Sequence, residues 1–146
     1  MKYLDLVMEL MRCLVVATCA DLGELLYHRG LYGNLVSGIN NAQKILRYLT
    51  DSGQLEKGGK FYRLPGSQSQ YGEHARSLTR ALVTLLRQVP AAQIVREKLI
   101  KPIMVIPDAL VLLRHDGQGR CIILEVMRSE KPAYLTAKVD AWQSWS

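Results

Sequence analysis

Ile39-Asn40-Asn41-Ala42-Gln43-Lys44-Ile45-Leu46-Arg47-Tyr48-Leu49, with the run that follows it from Gly53 to Leu64, decides the fold of the first half of the chain. Val36, Ile39, Ala42, Leu46 and Leu49 recur every three or four residues, which predicts a helix with one apolar stripe. Its opposite face carries Ser37, Asn40, Asn41, Lys44, Arg47 and Tyr48. Gly53 is placed to stop that helix. Beyond it, Gln54-Leu55, then Glu56-Lys57-Gly58-Gly59-Lys60, then Phe61-Tyr62-Arg63-Leu64 read as strand, tight turn and strand.

Toward the N-terminus, Leu4, Val7, Met8, Met11 and Leu14 mark a first helix. The apolar run from Lys2 to Leu14-Val15-Val16-Ala17-Thr18-Cys19-Ala20 reads as an amphipathic helix. Asp5, Glu9 and Arg12 interrupt it, which a signal peptide would not tolerate. Thr18 with Asp21 is a capping pair that starts a short second helix through Leu22, Leu25 and Leu26, and His28 to Gly33 is a turn. Three helices and then a hairpin with a basic tip is the order of a winged helix-turn-helix. In that setting amides on the third helix can contact base edges while Lys44 and Arg47 meet phosphate, and Lys57 and Lys60 at the hairpin rest on the backbone beside it.

The 146 residues carry a formal charge of +6, with 49% hydrophobic and 22% charged residues. That excludes a disordered or collagen-like chain and fits a polyanionic partner. Cys13, Cys19 and Cys121 are odd in number and lack a C-x-x-C pair, so they read as small buried thiols of a reducing cytoplasm. No membrane or export signal is evident. Pro65-Gly66 and the polar run to Gly72 form a linker, dividing the chain into residues 1–65, a linker 66–72 and residues 73–146, and both halves are basic.

In the second half, His74 to Arg87 reads as a helix with Leu78, Leu82 and Leu85 inward. Arg76, Arg80 and Arg87 form a basic stripe that fits a phosphate backbone or a solvated face. A further helix is expected from Ala91 to about Leu99, carrying Glu97. Ile103 to Leu113 and Cys121 to Val126 read as strands of buried type, covered on both faces. If Asp116-Gly117 is a two-residue type I′ turn, Leu112 pairs with Cys121, Leu110 with Ile123, and Asp108 lies opposite Glu125. Carboxylates so opposed have Cβ atoms about 5 Å apart and repel. A divalent cation, a shared proton or a basic neighbour such as Arg128 would offset this.

Pro107-Asp108, a hairpin, and Glu125 on the next strand resemble the PD-(D/E)xK nuclease-like motif. More broadly the chain resembles the replication-relaxation family of plasmid and mobile-element proteins, related to the C class of mobilisation relaxases. The resemblance runs through Ala17-Thr18-Cys19-Ala20-Asp21-Leu22, Tyr62-Arg63-Leu64, His74, Pro107-Asp108-Ala109-Leu110 and Leu124-Glu125-Val126-Met127-Arg128 to Lys138. It implies an α+β chain, a winged helix followed by an α/β nuclease-like half. It also implies Mg²⁺ or Mn²⁺ on Asp108 and Glu125, which with Lys138 would be the catalytic residues, and double-stranded DNA as partner. Met127 stands where the motif carries lysine, so the resemblance turns to Lys138, on a helix with Leu135, Val139 and Trp142 as its stripe. The nuclease-like half is expected to lack its last strand, and Trp142 and Trp145 raise the expectation of a homodimer or protein partner through this half. Two functions stay open: a metal-dependent DNA-nicking enzyme of plasmid mobilisation or replication, or a non-catalytic winged-helix regulator or accessory protein.

Overall fold

The apolar spacing of the N-terminus closes into helix α1 (Leu4–Leu14), which buries Val7, Leu10, Met11 and Leu14. A computed structural model describes residues 1–67, 73–96, 98, 100–101 and 106–126. The helix stops before the β-branched pair Val15-Val16, correcting the expectation that it runs on to Ala20. Val15 takes φ 67° and ψ −47°, a strained turn that costs a branched residue on the order of 1–3 kcal/mol. Two hydrogen bonds hold it there, from Val15 N to Met11 O at 2.7 Å and from Leu64 N to Val15 O at 3.1 Å. The chain then enters strand β1 (Val16–Thr18).

Helix α2 (Cys19–His28) starts at the expected capping box. Thr18 Oγ1 accepts from Asp21 N at 3.2 Å, and Asp21 Oδ2 accepts from Thr18 N at 2.9 Å. Helix α3 (Leu35–Asp51) is capped by Asn34, whose Oδ1 accepts from Ser37 N at 2.8 Å. The two helices meet at glycines. A Cβ on Gly23 would lie 2.5 Å from Ile39 Cα, and one on Gly38 would lie 2.7 Å from Gly23 O. Turning Gly38 toward α2 rotates α3, so Ile45 joins Ala42, Leu46 and Leu49 in the core. Val36, expected inside, is 67% exposed.

The hairpin is strand β2 (Glu56–Gly58) and strand β3 (Phe61–Arg63). Gln54 and Leu55, expected to open the first strand, instead donate their backbone N–H groups to Leu49 O and finish the α3 terminus. Gly59, at φ 60°, occupies the first position of the two-residue turn, where a II′ geometry favours glycine. β3 pairs with both neighbours, giving the antiparallel order β1-β3-β2.

Helix α4 (Glu73–Gln88) buries Ala75, Leu78, Thr79, Leu82, Val83 and Leu86. It lies against α1, α2 and β1, while Leu85 is only half-buried. The helix expected after Pro90 is instead strand β4 (Gln93–Arg96). Ile94 and Val95 favour an extended backbone, and they pair with Val111 and Leu110 of strand β5 (Ala109–His115). Strand β6 (Gln118–Leu124) completes the antiparallel order β4-β5-β6. Asp116 and Gly117 both have positive φ, 52° and 76°, as a type I′ turn requires. The register follows, with Leu112 opposite Cys121 and Leu110 opposite Ile123.

Ala109 and Val111 are fully buried, but Leu112 and Ile122 are 39% and 44% exposed. Among the described residues β6 is an edge strand, so the expectation of two strands covered on both faces is corrected. Cys121 is exposed rather than buried, and Cys13 and Cys19 are half-buried free thiols. Burial, with Glu9 adding to it, pushes the Cys13 thiol up from its ordinary value. The described residues thus form a mixed α+β structure of four helices and two small antiparallel sheets. Buried residues before and after the linker position join one hydrophobic cluster. No helix among them is long and apolar enough to cross a membrane. Linker residues 68–72, Glu97, residues 102–105, Met127, Arg128, Leu135, Lys138, Val139, Trp142 and Trp145 lie outside the described residues.

Candidate nucleic-acid interface

Because α3 turns its glycine and aliphatic side inward, its opposite side is left to solvent. Asn40, Gln43, Lys44 and Arg47 are exposed there, and with Tyr48 and Asp51 they line a shallow groove along the helix. Val36, in the first turn of the helix, and Tyr48 are exposed as well. Ser37 and Asn41 sit differently. Ser37 is half-buried, and Asn41 Nδ2 donates to Ser37 O at 2.8 Å, so this amide already bonds to the backbone. Asn41 and Lys44 also face a second hollow lined by Lys2, Tyr3, Leu31 and Tyr32.

Lys57 and Lys60 are exposed on the hairpin. Lys57 Nζ stands 5.5 Å from the Tyr62 ring centroid, and Lys60 Nζ stands 5.8 Å from that of Phe61. Such contacts hold an ammonium over a ring while leaving it hydrated, worth about 0.5–1 kcal/mol at exposed sites. Arg63 pairs with Glu56 at 2.9 Å, fastening the strands beneath the tip.

The arginines of α4 divide. Arg76 is exposed. Arg80 Nη1 reaches Asp21 Oδ1 at 3.0 Å and Glu24 Oε2 at 2.9 Å, and Arg87 Nη1 reaches Glu24 Oε1 at 2.8 Å. The charge of Arg80 and Arg87 is therefore matched inside the chain by two acids of α2. Burial raises the Glu24 carboxyl, but the hydrogen bond and charge of Arg80, with those of Arg87, outweigh it and hold the group below its ordinary value.

Asp108 precedes β5 and Glu125 follows β6, each one residue beyond the last paired positions, Ala109 and Leu124. Asp108 is a joint for four segments. Its Oδ2 accepts from Val126 N at 2.7 Å and lies 3.2 Å from His74 Nε2 at the start of α4. Its carbonyl accepts from Arg96 Nε at 3.0 Å, and Arg96 Nη1 also donates to the Cys13 and Leu14 carbonyls that end α1. A hard divalent cation needs several converging oxygens. Here one Asp108 oxygen already serves two donors, and among the described residues no three His, Cys, Asp or Glu side chains converge as a metal-binding group. Lys138 lies outside the described residues.

Comparisons with family models, with curated proteins and with solved structures find no match. Gln43 and Arg96 are not among the residues expected from the sequence, and Val36, expected inward, faces solvent. The spacing of Val36, Asn40, Gln43 and Arg47 was the available signal for the α3 face. For Arg96 there was none, since its partners are carbonyls distant in sequence.

Proposed function

We propose that this chain binds double-stranded DNA through residues 1–65, acting as a winged helix-turn-helix. Helix α3 enters the major groove, and the β2–β3 hairpin lies beside it with Lys57 and Lys60 on phosphate. The observation that carries this reading is the exposed face of Asn40, Gln43, Lys44 and Arg47, on a helix that follows a capped α2 and precedes a lysine-tipped hairpin. Amides and cations on a single helix face supply both base-edge and backbone contacts. The +6 charge of the chain favours a polyanion.

In this reading Asp108 is a structural joint, and residues 73–146 serve as platform and partner surface. The resemblance to plasmid and mobile-element proteins supplies the setting, a regulator or accessory protein of mobilisation or replication. Fluorescence anisotropy with a labelled duplex at stepped salt concentrations tests it. Affinity is expected to fall steeply with salt, and Lys44→Ala and Arg47→Ala are each expected to reduce the salt slope by about 1. Absent or salt-insensitive binding sinks the proposal. A supercoiled plasmid incubated with Mg²⁺ or Mn²⁺ separates the two functions. It should stay intact, whereas nicking that vanishes in Asp108→Ala with Glu125→Ala would reinstate the nuclease.

A further inference from the structure

Four exposed side chains of α3, Val36, Asn40, Gln43 and Arg47, follow one another at intervals of four, three and four residues. That spacing keeps them on a single line along the helix. It is the outermost line, since Gly38, Ala42, Ile45 and Leu49 occupy the buried side. No acid interrupts it, and its members change in character from an isopropyl group to two carboxamides to a guanidinium.

From this line we infer that the protein reads a short major-groove element in which neighbouring A·T pairs dominate, an inference that rests on the DNA-binding reading above. In the major groove a carboxamide matches adenine bidentately, giving a hydrogen bond to N7 and accepting one from N6. An apolar group matches the thymine methyl, and a guanidinium matches guanine O6 and N7. Asn40 and Gln43 lie three residues apart, about 4.5 Å along the helix axis, close to the rise of one base pair, about 3.4 Å. Their targets are therefore adjacent pairs. Val36 lies four residues before Asn40, about 6 Å, and reaches a thymine methyl about two pairs away. Arg47 closes the line on the phosphate backbone. Asn41, although also an amide, takes no part because it bonds to the Ser37 carbonyl.

The test is selection from a duplex pool randomised at its centre, using the full chain and then the Asn40→Ala and Gln43→Ala variants, whose changes fall on exposed positions. The wild type should enrich adenine at two adjacent positions. Each variant should lose preference at one of them by about tenfold. Replacing an enriched adenine with 7-deazaadenine removes the N7 acceptor and should reproduce the loss. An enriched site of G·C pairs, or binding with no base enriched, overturns this inference and leaves DNA binding standing. An adenine preference that survives 7-deazaadenine also overturns it, because the reading would then come from the minor groove. Failure to retain any duplex removes the DNA-binding reading itself.

Discussion

Gly23 and Gly38 place two helix backbones in direct contact, and neither position tolerates a methyl group. An alanine at position 23 would meet the Ile39 backbone at 2.5 Å, an atom that no rotamer change can move. Alanine gains about 1 kcal/mol over glycine in helix propensity, but overpacking of this kind costs about 1–3 kcal/mol or more. The clash wins because relief requires separating α2 from α3. Gly23→Ala is thus predicted to lower the urea midpoint clearly. Gly33→Ala, with open space around it and no positive φ, should stay within about 0.5 kcal/mol of wild type. Equal effects at the two positions would show that the helix contact is not tight. The same residues decide what α3 presents to solvent, because rotation toward Gly23 is what exposes Val36.

Helix α2 is pinned from both sides, by α3 at its glycines and by α4 through Asp21 and Glu24. Glu24 is held below its ordinary carboxyl value of 4.5, so its contribution is complete above the unfolded-state value. It is lost as pH falls through the lowered folded-state value. The stability gap between wild type and Glu24→Gln should therefore be largest near neutrality and close on acidification, as followed by melting temperature against pH. A gap independent of pH would show that the carboxylate charge contributes nothing.

Helices α1 to α4 were legible because apolar spacing and the Thr18 cap are local signals, and the β5–β6 register was legible from Asp116-Gly117. Strands β1 and β4 were not. They are three and four residues long, and their pairing partners lie far along the chain. On the candidate interface, Asn40, Lys44, Arg47, Lys57 and Lys60 are exposed as read. The Arg80 acids sit on another helix, so no local pattern marks that pairing.

At the scale of the whole molecule, one buried hydroxyl ties the halves together: Thr79 Oγ1 of α4 donates to Val16 O of β1 at 2.6 Å. Thr79→Val would leave that carbonyl buried without this donor, a loss of about 1–3 kcal/mol. Because the buried residues of both halves form one cluster, the loss should lower stability everywhere at once. Hydrogen exchange at amides of α3 and of β5 should report a single shared opening that shifts equally in the variant. Two separate openings, with only one responding, would mean that the halves fold independently.

The Arg96 guanidinium, which holds the end of α1 and the start of β5 together, has a geometric consequence for the proposed complex with DNA. It makes the chain a set square instead of two beads on a string. With α3 seated in a groove, the tip at Asp116-Gly117 acquires a fixed compass bearing around the DNA axis. A second molecule bound on the same duplex repeats that bearing only when its site is displaced by whole helical turns, about 10 bp each.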